Sequence, residues 1–222
     1  MPACASAPHR PDPRRRADRG TTLVELVVAM GIFTVVLSVI VGITMAMVQD
    51  VRKSTNVYDA GADARAAFSR LDKQLRYATA INRPQPGTSG TDRYVEFQSV
   101  DGGNVLTCHQ WRLLDASDLL QQRSWVGVPA SAPSWSTVAT HVVNGAGQPP
   151  FAFTAATPTV PRQSLTVNLV IRRGAQSAGT VSLSTTFTAR NTDTDTSTNT
   201  DVVAPIGDSD APVCLGGAVS RS

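Results

Sequence analysis

Charge is scarce in this sequence: only 17% of its 222 residues are Asp, Glu, Lys or Arg, against roughly a quarter in ordinary soluble domains. Lysine is almost missing; Lys53 and Lys73 are the only two among 20 basic residues, a bias that points to a GC-rich bacterial genome. The three histidines and three cysteines form no zinc-type spacing. No G-x-S-x-G elbow, phosphate-binding loop or dinucleotide fingerprint occurs either. These absences remove the common hydrolase, nucleotide-binding and structural-zinc readings, and no catalytic residue is expected. No internal repeat is present, which removes the solenoids. Mean hydropathy close to zero excludes both a polytopic membrane protein and a wholly disordered chain.

What is present is unevenly placed. The length suits one domain plus extra segments. The formal net charge is +3, and the first 20 residues carry all of it: Arg10, Arg14, Arg15, Arg16 and Arg19 outweigh Asp12 and Asp18. The remainder is formally neutral, so the basic pI gives no general support to a nucleic-acid partner. Residues 1–20 also hold Pro2, Pro8, Pro11 and Pro13 without apolar periodicity, and are expected to be a disordered basic leader.

Residues 26–48 read LVVAMGIFTVVLSVIVGITMAMV, with no charge in the run. As a helix rising about 1.5 Å per residue they span roughly 35 Å, enough for a bilayer core. The stretch exceeds the apolar core of an ordinary secretory signal peptide, and TMAMVQD offers a poor cleavage site. Arginines before the run and few cations soon after it orient the N-terminus towards the cytoplasm. Glu25 stands at the start of this run. A carboxylate there costs several kcal/mol unless it is paired or held at the interface. Cleavage after Gly20 would leave a free amine at Thr21, one helix turn from Glu25, as an intramolecular or neighbouring partner.

Arg19-Gly20-Thr21-Thr22-Leu23-Val24-Glu25-Leu26, followed by the long apolar segment, resembles the type III signal sequence of type IV pilins and type II secretion pseudopilins. The resemblance implies cleavage between Gly20 and Thr21 by a prepilin peptidase, often with N-methylation of the new terminus, and a role for Glu25 in assembly. It also implies other pilins or pseudopilins, an inner-membrane assembly platform and the lipid bilayer as partners. The family often has phenylalanine where Thr21 stands, and many members have proline where Gly42 stands. Glycine costs about 1 kcal/mol in a helix relative to alanine, so Gly42 is expected as a weak point. Ala67–Ile81 further resembles the matching helix of J-type minor pseudopilins and W-type minor pilins.

Beyond Val48 the chain stays helix-compatible to about Ile81. Ala64, Phe68, Leu71, Leu75 and Ala78 recur on one face, and Asp72 and Arg76 form an i,i+4 pair. From Arg93 the period becomes two. Strands are expected around Val95–Phe97, Val105–Leu113, Ser117–Val126, Thr137–Val143, Phe151–Ala155, Leu165–Arg172 and Thr180–Arg190. Their alternation predicts a sheet buried on one side, hence antiparallel. The expected fold class is α+β and pilin-like: a long N-terminal helix, half membrane-spanning and half amphipathic, packed on an antiparallel sheet. The expected segments are a leader (1–20), an anchor or filament-core helix (21–48), an amphipathic half (49–83), a sheet domain (84–190) and a Thr/Asp-rich tail (191–222).

With Cys4 leaving in the leader, Cys108 and Cys214 remain on the side where disulfides persist. They form a bridge or, alternatively, a buried cysteine and a free thiol. The NTDTDTSTNTD stretch is either a flexible tail or a calcium loop using Asp193, Asp195 and Asp201; it lacks the EF-hand glycine and glutamate. No other cofactor is expected. His109 and His141 read as structural residues, since Cys108 and His109 face opposite sides of one strand. Trp111 reads as core. Together these features predict a minor pilin-like structural subunit rather than an enzyme. The competing readings are a permanently anchored extracytoplasmic binding domain and a pilin used for DNA uptake.

Overall fold

The computed structural model describes residues 21–86, 93–100, 103–145, 147–174, 179–199 and 213–214. The chain divides between Gln49 and Asp50 into two units, and helix α1, Leu23–Leu75, contributes to both. In the first unit the helix is apolar on every face. All residues from 21 to 50 are exposed, among them Phe33 at 64% and Ile43 at 64%. A helix hydrophobic all round has no inside or outside of its own and is suited to an apolar surround. Its described part is long and apolar enough to cross a membrane. Gly42, expected as a weak point, lies within uninterrupted helix, and a Cβ added there meets nothing within 4 Å.

In the second unit α1 becomes amphipathic. Ala60, Gly61, Ala64, Ala67, Leu71 and Leu75 are buried, and four of these six are alanine or glycine. Ion pairs hold the polar side, Arg76 with Asp72 one turn back and Arg173 with Asp63. Among the described residues nine strands follow: β1 (Ala78–Ile81), β2 (Gln85–Pro86), β3 (Arg93–Val100), β4 (Leu106–Leu114), β5 (Leu119–Val126), β6 (Ser136–Thr140), β7 (Phe151–Thr154), β8 (Ser164–Arg172) and β9 (Thr180–Thr188). They form two antiparallel sheets rather than one. The larger runs β1-β3-β4-β5-β6 with β2 beside β3, and the smaller runs β7-β8-β9. Trp111, Phe97, Ile81, Leu113, Leu165, Leu169 and Ile171 are fully buried with Leu71 and Leu75 in one core.

The helix ends at Leu75, six residues before the expected boundary at Ile81. Arg76 N–H still bonds the Asp72 carbonyl at 3.0 Å. Ala80 and Ile81 then pair with Gln98 and Phe97 of β3, across a register shift, and the Gln163 side chain accepts from Ile81 N–H at 3.0 Å. Non-local pairing thus overrides the local helical pattern in a segment whose Thr79 and Ile81 suit either state. The amphipathic half therefore stops short of residue 83, and the sheet domain starts at Ala78 rather than 84.

The expectation of a sheet buried on one side fails at β4, where Cys108 and Gln110 are buried as well as His109, Trp111 and Leu113. The second face is covered in part by the C-terminal cysteine, joined to Cys108 in a disulfide with Cα atoms 5.7 Å apart. That separation is ordinary for a bridge. The start of the Thr/Asp-rich stretch is also not a free tail. Thr192 and Thr198 are fully buried. Gln163, itself 0% exposed, donates to Thr198 Oγ1 at 2.7 Å and to Asn199 Oδ1 at 2.8 Å. Its backbone N–H donates to Thr192 Oγ1 at 2.8 Å.

Candidate functional site

The N-terminus of α1 is the candidate site. Gly20 lies outside the described residues; Thr21 and Glu25 are exposed. Thr22 caps the helix: its Oγ1 accepts from Glu25 N–H at 3.3 Å, and its carbonyl accepts from Leu26 N–H at 3.1 Å. Thr22-Leu23-Val24-Glu25 thus has the residue pattern of a capping box, in which the acid three residues after the cap favours the first turn. This cap is legible in the sequence as T-x-x-E. It supplies a local reason for a carboxylate at Glu25 besides pairing with an amine.

Downstream, the three hydroxyls within the apolar run are satisfied by the helix itself. Thr34 Oγ1 donates to the Gly31 carbonyl at 2.8 Å, Ser38 Oγ to Thr34 at 2.7 Å and Thr44 Oγ1 to Ile40 at 2.8 Å. No polar hydrogen of these side chains needs water or a neighbour, the condition for low cost in hydrocarbon. The site is therefore a capped helix start, one carboxylate, and about 23 residues of self-satisfied apolar helix.

The other sequence candidates fall into separate places. In the calcium candidate, Asp193 Oδ1 accepts from Asp195 N–H at 3.0 Å and from Thr196 Oγ1 at 3.1 Å. The Asp193 carbonyl accepts from Asn199 Nδ2 at 2.6 Å, and Asn199 Oδ1 accepts from Ala156 N–H at 3.0 Å. These oxygens close a turn onto a short 3₁₀ helix, Ser197–Asn199. Asp201 lies outside the described residues, and among those described no cluster of three or more His, Cys, Asp or Glu residues is present.

His141 is exposed, at φ 62°, with Nδ1 2.9 Å from Thr140 Oγ1. His109 is buried under Phe97, whose ring centroid lies 5.2 Å away, and its Nε2 is 2.9 Å from Ser99 Oγ. This pair has the spacing of a nucleophile and base, but each residue is only 8% exposed and His109 Nδ1 has no hydrogen-bond partner. Among the described residues no acid bonds the His109 ring. Burial lowers the His109 pKa to about 4, so the ring is neutral at pH 7.

A buried polar chain on the second face of the larger sheet was not anticipated. Arg123 Nε donates to Gln110 Oε1 at 2.8 Å, and Gln110 Nε2 donates to Glu96 Oε2 at 2.8 Å. Cys214 N–H donates to the other Glu96 oxygen at 3.1 Å. Burial first, then the Arg112 charge, push the Arg123 pKa down, while Glu96 pulls it up. The Arg112 and Arg123 guanidiniums lie 4.0 and 4.2 Å from the Trp135 ring centroid. The available signal was long polar side chains aligned on one face of three successive strands beside Cys108. Trp125 joins the disulfide in a small buried cluster. No family model, curated protein or solved structure matches this chain.

Proposed function

We propose that this chain is a minor pilin-like, or pseudopilin, structural subunit. It is cut by prepilin peptidase between Gly20 and Thr21, with methylation of the new terminus as the family resemblance implies. It then assembles with other pilins through an inner-membrane platform into a type IV pilus or a type II secretion pseudopilus. Before assembly, residues 26–48 anchor it in the cytoplasmic membrane, and the chain from Asp50 lies outside. The observation that carries this reading is the Gly20–Glu25 motif running directly into a capped helix apolar on every face. The work of such a chain is contact and assembly, not catalysis. The test is N-terminal sequencing of the protein from a bacterium with active prepilin peptidase: a start at Thr21 is expected, and any other start overturns the reading.

The capping box favours a second reading, a permanently anchored extracytoplasmic binding domain in which Glu25 serves only the helix start. Glu25→Gln separates the two, because glutamine is accepted at this capping position but carries no charge. In the pilin reading Glu25→Gln is processed yet fails to enter filaments, while Thr22→Ala, which removes the cap and keeps the charge, still enters them. In the anchor reading neither change matters and no filament forms.

A further inference from the structure

We propose that Asn144-Gly145 is a self-modification site: Asn144 is converted, without an enzyme, to aspartate and isoaspartate, and the conversion unfastens the connection between the two sheets. It is the only Asn-Gly dipeptide in the chain, and it follows the point where the chain passes from one sheet to the other. β6 belongs to the larger sheet, while Val142, two residues beyond its end, bridges Ile171 of β8 in the smaller one.

The Asn144 side chain completes the ladder along β8. β7 pairs with β8 only from Ser164 to Val167, and the Pro150 carbonyl then accepts from Asn168 N–H at 2.9 Å. Further along, Val143 N–H donates to the Val170 carbonyl at 2.7 Å and Arg172 N–H to the His141 carbonyl at 2.9 Å. Between these two stretches the Asn144 carboxamide stands where a backbone peptide group would. Its Oδ1 accepts from Val170 N–H at 3.1 Å, and its Nδ2 donates to the Asn168 carbonyl at 2.8 Å and to the Gln148 carbonyl at 2.9 Å. The place needs a donor and an acceptor on one short side chain, and asparagine imitates the backbone in this way.

The next residue makes that amide chemically vulnerable. Gly145 is exposed, and without a Cβ its backbone nitrogen can approach the preceding side chain closely. That nitrogen attacks Asn144 Cγ. The new N–Cγ bond closes a succinimide ring, the Cγ–Nδ2 bond breaks, and Nδ2 leaves as ammonia with the Gly145 amide proton. Water then opens the ring. Addition at Cγ gives aspartate; addition at the Asn144 backbone carbonyl gives isoaspartate, with the main chain rerouted through Cγ. No oxidant or reductant enters. The hydrogen bonds to Val170, Asn168 and Gln148 hold the carboxamide in place, so the reaction starts from a local opening of this segment. It runs one way, because a carboxylate only accepts and returns to face the Asn168 and Gln148 carbonyl oxygens with no proton to share. This inference is independent of the filament reading.

The test ages the full-length protein in detergent micelles in mildly alkaline buffer, beside the same protein unfolded in denaturant. Mass-spectrometric peptide mapping and labelling by isoaspartate methyltransferase locate the product. Conversion at Asn144 is expected in the folded chain, more slowly than in the unfolded one, and is expected to be lost in Gly145→Ala. A Cβ at Gly145 meets nothing within 4 Å, so this variant keeps the circular dichroism of the wild type. Aged wild type and fresh Asn144→Asp are both expected to exchange backbone hydrogens at 142–145 and 168–172 faster than fresh wild type. An amide retained at Asn144 in the folded chain while the unfolded chain converts overturns the proposal, and so does equal conversion in Gly145→Ala. Conversion with unchanged exchange in those segments overturns the unfastening.

Discussion

The two halves of α1 belong to one helix but differ in how their apolar side chains are covered. From Leu26 to Val48 nearly every side chain is apolar and all are exposed, and the few hydroxyls bond back to their own backbone. From Ala60 to Leu75 only one face is buried, and half of its residues are alanine. Helix formation therefore says little about where stability arises. In the first half no described residue of this chain buries the apolar side chains, and the run is long and apolar enough to cross a membrane. In the second half burial comes from this chain's own sheets, where Leu71, Leu75, Trp111 and Phe97 share a core. The comparison predicts that perturbations of unit two register within this chain alone, while those of unit one do not. All three tryptophans lie beyond Gln49, so their fluorescence reports unit two selectively.

The largest expected effect is loss of the bridge. Cys108 and Cys214 are 106 residues apart, and closing a loop near that length contributes about 4–5 kcal/mol in the chain-entropy account. Cys214→Ser is expected to lower the tryptophan-monitored melt of the full chain in micelles, and reductant is expected to do the same to the wild type. An unchanged melt in both would show that the Glu96–Gln110–Arg123 chain holds the second sheet face without the tether.

Next comes a matched pair of leucines. Leu71→Ala, at a position with 0% exposure, is expected to destabilise unit two by about 2–5 kcal/mol. Leu37→Ala, at 47% exposure in the first half, is expected to move the same melt by less than about 0.5 kcal/mol. Equal losses would break the comparison, because they would mean that the apolar half folds back on unit two in solution.

The same contrast explains what could be read from sequence. The first half of α1 was legible because a charge-free run needs no partner to be recognised. Val95/Phe97 and Leu165/Val167/Leu169/Ile171 were legible because period-two alternation is local. Ala78–Ile81 was misread as helix because its strand state is set by β3, and nothing in RYATAI announces that pairing. The order of Thr192–Asn199 was hidden for the same reason: it depends on Gln163, some 30 residues earlier, whose side chain and backbone hold it. The two-sided burial of β4 depends on Cys214, 118 residues from the Glu96 carboxylate it bonds. At the candidate site the motif and the apolar run were visible. The Thr22 cap is also written there, as a threonine three residues before an acid.

A last expected effect concerns pH and again falls in unit two alone. His109 is buried, neutral and bonded to Ser99, with its pKa lowered to about 4 from 6.5. The unfolded chain therefore binds a proton that the folded chain refuses. The stability this contributes is fully present above pH 6.5 and is lost as pH falls towards 4. At pH 5 the loss is about 2 kcal/mol, the slope being about 1.4 kcal/mol per pH unit. The tryptophan melt of the full chain should fall between pH 7 and pH 5, an interval in which ordinary carboxylates remain ionised. His109→Gln, which cannot titrate, should flatten that fall even though it lowers the starting stability by altering the Ser99 bond and the Phe97 stack. The helical signal of the first half has no buried base and should stay constant over the same interval. A melt of the wild type that is level from pH 7 to pH 5 would mean that the His109 ring opens to solvent before unit two unfolds.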